Sequence, residues 1–180
     1  MPTHPSLILG PELTRFVTGG VSINAGSASA AGVPSLCRAF GCRVDSAAGR
    51  LRLFFAGPQA VDLVRDAGRS GALAVVFSEP STHRTIQVKG QDARIEPLAD
   101  GDLACVTAYR AAFAQSLVFL GFTEAMVRTL LDCPDEALVA VAFTPSVLFN
   151  ATPGAQAGTP LAPALIPSLI PTPPLTPGAV

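Results

Sequence analysis

The chain has 180 residues, enough for one domain with a substantial core. Its 13 acidic and 12 basic residues leave a net charge of −1, which excludes the basic footprint of a nucleic-acid binder. Hydrophobic residues make up 49% and charged residues only 14%, so an excess of apolar surface is expected to be hidden in an interface.

Cys37, Cys42, Cys105 and Cys133 show no zinc spacing, and only His4 and His83 could join them. No metal site is expected, and reduced thiols fit a cytoplasmic protein. The start of the chain has neither the basic end nor the apolar core of a signal peptide. No apolar run reaches the roughly eighteen residues that a membrane span needs.

In chain order, residues 1–11 carry Pro2, Pro5 and Gly10-Pro11 and are expected to be a loose arm. Phe16–Ala28 is rich in small and β-branched residues and reads as a strand, followed by a turn at Ala31-Gly32-Val33-Pro34. Ser35–Val44 alternates, with Leu36, Phe40, Cys42 and Val44 on one face and Arg38 among them. Leu51–Ala56 is a third strand, and Gly57-Pro58 opens a short helix ending near Gly68.

Leu73–Ile95 reads as a bent hairpin. An apolar strand turns at Glu79-Pro80-Ser81-Thr82 into a long strand. In that strand Ile86 and Val88 face one way, and Thr85, Gln87, Lys89 and Gln91 the other. Gly90 interrupts it, and apolar residues return out of phase at Ala93 and Ile95, the mark of a bulge. Helices follow over Asp100–Gly121 and from a Thr123 cap to the break at Cys133-Pro134-Asp135, then a last strand over Ala137–Phe149. The domain is expected over 12–151, and the uncharged, proline-dense stretch 152–180 is expected to be extended, with an apolar side able to dock on the body or on a partner. The fold class is mainly β with flanking helices (α+β), a small antiparallel barrel.

Motifs for dinucleotide binding, a phosphate loop or a serine hydrolase are absent. What stands out is a set of cations on strands: Arg38, Arg84 and Lys89, with Arg43. An arginine on an apolar strand face is costly without a partner, and a guanidinium fork suits an anionic ligand such as phosphate. Small residues near it, Gly26, Ser27, Ala39, Ala56 and Gly57, would let a flat ring lie close to backbone.

PSLCRAFGCRVD, RLRLFFAG, LAVVFSEPSTHRTIQVKGQDARI and FTPSVLFNATPG together resemble the pyridoxamine 5′-phosphate oxidase-like, FMN-binding split-barrel superfamily, over about Pro11 to Gly154. That resemblance implies an antiparallel split β-barrel and a homodimer with FMN sites between subunits. It places Arg38 near the flavin phosphate, and the backbone of Phe55 and Ala56 along the flavin ring, beside Ala39. Arg84 matches the arginine of an Arg-Gln-Val element in which Thr85 replaces the glutamine; Gln87 substitutes from the same face, and Lys89 reaches the phosphate or the pyrimidine edge. The chain departs from the biosynthetic oxidases. Phe40-Gly41-Cys42 and Gly57-Pro58-Gln59 stand where they carry a lysine and a Ser-Arg-Lys element, and their C-terminal Arg-x-His is absent. The implied function is an FMN-dependent oxidoreductase of unspecified small-molecule substrate, with no catalytic residue identified. The alternatives are a non-catalytic flavin- or haem-binding barrel and a structural dimer whose tail recruits partners.

Overall fold

The computed structural model describes residues 9–161; the body of the expected arm and the Pro-rich stretch from 162 onward lie outside the described residues. Pro11, which fits the first turn of a helix, opens α1 (Pro11–Val17), where the sequence suggested the end of an arm and the start of a strand. The first strand, β1, is therefore shorter, at Ser22–Ala28. Gly20 sits between α1 and β1 because a Cβ there would fall on the Ala112 carbonyl.

The expected second strand is two. β2 (Pro34–Arg38) and β3 (Cys42–Asp45) are joined through Ala39-Phe40-Gly41, and Gly41 takes φ +143°. This bend reverses the facing. Phe40 and Cys42 are buried, but before the bend it is Ser35 and Cys37 that point inward, while Leu36 is 75% exposed. Arg38 shares the outward face of Leu36, so the expected apolar set of Leu36, Arg38, Phe40 and Cys42 is not one face.

β4 (Arg50–Ala56) and α2 (Val61–Ser70) follow, and α2 runs past Gly68 to a left-handed cap at Gly71. β5 (Leu73–Ser78) and β6 (Thr85–Gly90) form the hairpin, and β7 (Arg94–Glu96) continues beyond a break. Gly90 marks that break for a steric reason: a Cβ there would meet the Phe143 ring and lie 2.5 Å from the Thr144 carbonyl oxygen. α3 (Asp102–Val118) and α4 (Glu124–Leu130) come next, with the Thr123 hydroxyl capping α4. The expected last strand is again two, β8 (Leu138–Phe143) and β9 (Val147–Asn150), parted at Thr144-Pro145-Ser146 because proline cannot donate to a ladder.

The strands make a five-stranded sheet, β2-β1-β5-β6-β9, and a four-stranded sheet, β3-β4-β8-β7, with all pairs antiparallel. Each bent strand serves both sheets. Followed through them, the pairings close into a ring: β1 to β2, β3 to β4 to β8 to β7, and β6 to β5 to β1. This is an antiparallel split barrel, with β9 as an extra edge strand. Phe40, Phe54, Phe55, Phe77 and Phe143 are fully buried in its core. Each contributes roughly 1.5–3 kcal/mol by leaving water.

One buried charge cluster ties the second sheet to α3. Asp102, wholly buried, accepts from Arg52 Nε at 2.8 Å and pairs with Arg43 Nη1 at 2.9 Å. Arg52 also pairs with Glu96 and donates to the Pro97 carbonyl. Arg43 is thereby paired with a carboxylate, which sets it apart from Arg38 and Lys89. Among the described residues no helix is long and apolar enough to cross a membrane.

Candidate functional site

Registers on the five-stranded sheet set its outer face, because directly opposed residues point the same way. One row crosses all five strands: Arg38 on β2 faces Asn24 on β1, Asn24 faces Val76 on β5, Val76 faces Gln87 on β6, and Gln87 faces Phe149 on β9. A second row, two residues along, holds Leu36, Gly26, Ala74, Lys89 and Val147. A third holds Ser22, Ser78 and Thr85. The three rows make a plate with a cationic corner at Arg38, a cation at Lys89, and small residues in the middle.

Arg38 is half-buried. Its Nη1 donates to Ser22 Oγ at 3.1 Å, and its guanidinium lies 5.6 Å from the centroid of the Phe113 ring. Phe113 is in turn stacked on Tyr109, with centroids 5.6 Å apart and planes at 8°. Tyr109 donates to the Val21 carbonyl at 2.9 Å; burial pushes its hydroxyl pKa up, with the Arg38 charge opposing. No carboxylate among the described residues pairs with Arg38. A guanidinium oriented by an aromatic ring and a hydroxyl, with no counter-ion, has donors to spare for an anion.

Thr85, Gln87 and Lys89 lie on the same face, as their alternation implied. Thr85 is buried and its hydroxyl is 2.8 Å from that of Ser78. The Lys89 ammonium sits 5.0 Å from the Phe149 ring centroid and has no carboxylate partner among the described residues. Arg38 and Gln87 are three strand steps apart, roughly 14 Å at the usual strand spacing. One phosphate therefore cannot be gripped by both ends of the plate.

The other expected residues are placed differently. Arg84 is held by α1: its Nη2 is 2.7 Å from Glu12 Oε1 and its guanidinium 4.7 Å from the Phe16 ring centroid. Ala39, Phe55 and Ala56 are buried in the core, at 0%, 0% and 2% exposure, so only their backbone could border a ligand. Ser22, Asn24, Tyr109, Phe113 and Phe149 were missed by sequence reasoning. For β1 the signal was there, since Ser22, Asn24 and Gly26 alternate with Ile23 and Ala25. For Tyr109 and Phe113, on a helix remote in sequence, there was none.

Among the described residues no group of three or more His, Cys, Asp or Glu could hold a metal ion. All four cysteines are free thiols; burial raises the pKa of each, so none is poised as a thiolate.

No family model matches the chain, and no curated protein does. Solved structures do. A candidate pyridoxamine 5′-phosphate oxidase from Lactobacillus delbrueckii aligns with a TM-score of 0.49 and 14% identity, over 80% of this chain and 95% of that one. HupZ of Group A Streptococcus aligns at 0.46 and 15% identity, over 83% and 99%. HutZ, the haem storage protein of Vibrio cholerae, aligns at 0.44 and 13% identity, over 79% and 94%.

Proposed function

We propose that the outer face of the five-stranded sheet binds FMN at the interface of a homodimer, and that the protein is a flavin-dependent oxidoreductase acting on a small molecule. The observation that carries this reading is Arg38, a half-buried guanidinium oriented by Phe113 and Ser22 with no carboxylate partner among the described residues. The residues fit the group: Arg38 and Ser22 would hold the phosphate end. Gly26 and Ala74, almost without side chains, would let a flat ring approach the sheet, with Gln87 and Lys89 toward its polar edge. Bound there, the flavin supplies hydride and electron transfer, and a cation near its pyrimidine edge favours the reduced anion. Leu36 at 75% and Val147 at 39% exposure flank the plate with apolar surface that a second subunit would cover.

A second reading, a non-catalytic flavin binder, is favoured by the make-up of the plate, where Lys89 is the lone group besides Arg38 that carries a charge. A haem version of that reading lacks support, since the rows supply no His, Met, Cys or Tyr as an axial ligand. Titration of the purified protein with FMN, followed by flavin fluorescence and by sedimentation, tests the proposal. Saturable quenching by a dimer is expected, and reduction of the bound flavin by NADH or NADPH separates the oxidoreductase from the passive binder. A colourless dimer that leaves FMN fluorescence unchanged would sink both.

A further inference from the structure

Away from the plate, α3 is covered on one side only. Val106, Tyr109 and Phe113 are buried against the barrel, while Ala104, Ala108, Ala111, Gln115 and Val118 are exposed. From Leu103 to Thr123 the sole charged residue is Arg110. A helix that is apolar on all sides needs cover on all sides. The five exposed residues also recur at intervals of four and three, the spacing of a seam between two packed helices.

Beside this seam a projecting ring stands next to a groove. α3 and α4 leave between them a half-open groove of about 640 Å³, walled by Ala111, Ala114, Val127 and Leu131, that shares no residue with the three rows of the plate. At its lip Phe119 is 90% exposed, and Val118, Leu120, Phe122, Met126 and Leu130 are each about half exposed. A two-fold contact joins one patch to itself, so each copy must offer both the knob and the hole; this face offers both.

The charges on the groove are self-complementary too. Its lining holds two acids, Glu124 and Asp132, and two bases, Arg110 and Arg128. Arg128 Nη2 lies 2.6 Å from Glu124 Oε1. Asp132 has no cation within ion-pair distance among the described residues, while Arg110 has a buried Nε without an acceptor and only a 3.8 Å contact from Nη1 to Asp135. Equal numbers of both signs suit a second copy of the same face, where an acid of one chain can meet a guanidinium of the other. An anionic lipid surface would call for a surplus of cations instead.

We infer that a second copy of this chain covers the α3–α4 face across a two-fold axis, with Phe119 of each copy seated in the groove of the other. This contact is separate from the FMN interface proposed above. The six exposed side chains at the lip offer on the order of 500 Å² of apolar surface per copy, so about 1,000 Å² is buried over both, the lower end for a specific contact. A contact of that size is weak. It forms as concentration rises, with half-association on the order of 10 μM or above, and leaves the α3–α4 face open at the dilution of a flavin titration.

The test is sedimentation of the full chain over roughly 1–500 μM. The mass of the sedimenting unit, whether a single chain or the FMN-binding pair, should double with concentration. Phe119→Asp should weaken that doubling by about 30-fold or more, as loss of a central aromatic anchor does, and it keeps the fold because the ring meets solvent in the single chain. Alongside, p-benzoylphenylalanine in place of Phe119, in a mixture of isotope-labelled and unlabelled chains, should crosslink to the groove walls in products that join the two kinds of chain. A constant mass over the whole range, or a doubling that Phe119→Asp leaves in place, would overturn the proposal. So would crosslinks outside the groove or within one chain; those reaching residues 162–180 of the same chain would assign the groove to that stretch. Neither readout uses FMN, so protein that fails to bind the flavin still tests this contact.

Discussion

The Arg84 guanidinium stands over the Phe16 ring and pairs with Glu12 at 2.7 Å, so α1 takes up the cation that the sequence resemblance assigned to a cofactor. The pair is exposed, and it ties a helix of only seven residues to the hairpin turn. Exposed ion pairs contribute about 0–1 kcal/mol, and the cation–π contact about 0.5–1. Arg84→Ala should therefore lower urea stability by about 0.5–2 kcal/mol and leave FMN affinity within about twofold. A loss of affinity as large as that of Arg38→Ala, in the same fluorescence titration, would return Arg84 to the site.

Arg38 carries the opposite expectation. Hydrogen bonds to charged groups are worth about 1.5–3 kcal/mol, so Arg38→Ala should weaken FMN binding by roughly 10- to 150-fold. Arg38→Lys keeps the charge but loses the fork that Ser22 and Phe113 orient, and should recover only part of it. Riboflavin, which lacks the phosphate, provides the control: its affinity should hardly differ among the three proteins.

Gly90 is required for the bend that lets one strand serve two sheets. In Gly90→Ala the new methyl meets the Phe143 ring and the Thr144 carbonyl, and overpacking of this sort costs about 1–3 kcal/mol. Urea unfolding should show the drop with no change of slope. Stability equal to wild type would mean that the β6–β7 corner yields easily.

Acid stability has one identifiable contributor in α2. The hydrogen bond from Arg65 Nε to Asp66 Oδ1, at 2.9 Å, holds the Asp66 carboxyl below the usual carboxylate range, with smaller help from Ser35 and the Arg65 and Arg69 charges. Because the folded value is lowered, the stabilisation is complete above the unfolded value of about 3.9 and is lost as pH falls through the folded one. Asp66→Asn should flatten the fall in urea midpoint below about pH 4 and leave its slope above pH 5 unchanged. An identical acid slope in wild type and variant would remove Asp66 as the cause.

The parts of this fold legible in the sequence were those set by short-range chemistry. Pro80 and its neighbours placed the hairpin turn, Thr123 capped α4, and the phase slip at Gly90 announced the corner between the sheets. The second corner was not legible. Leu36, Phe40 and Cys42 keep one alternation in sequence, and only the bend at Ala39-Phe40-Gly41 turns Leu36 and Arg38 outward while Phe40 and Cys42 stay inside. The expectation that Arg38 shares a face with Phe40 and Cys42 failed for that reason, although the same arginine still emerged as a cation without a carboxylate partner among the described residues. Thr85, Gln87 and Lys89 kept the facing that a regular strand gives. Arg84, one residue before β6 and out of phase with them, lies off that face, and its partners come from α1, whose start at Pro11 read as the end of a loose arm.

Asp102 lies with no exposure between Arg52 and Arg43, and its Oδ2 also accepts from the Ala99 N–H at 2.8 Å. Asp102→Ala removes the carboxylate that compensates a guanidinium on a residue only 7% exposed, and breaking such a buried pair costs about 3–5 kcal/mol. The loss should appear as a lower urea midpoint, with FMN affinity of the folded fraction unchanged, because the cluster belongs to the other sheet. Charge compensation predicts a partial rescue: Arg52→Met with Asp102→Leu replaces the ion pair by apolar volume and should recover stability over Asp102→Ala alone. If the double variant is less stable than Asp102→Ala, the contacts of Arg52 with Glu96 and the Pro97 carbonyl, rather than its pairing with Asp102, hold β7 and the start of α3 in place.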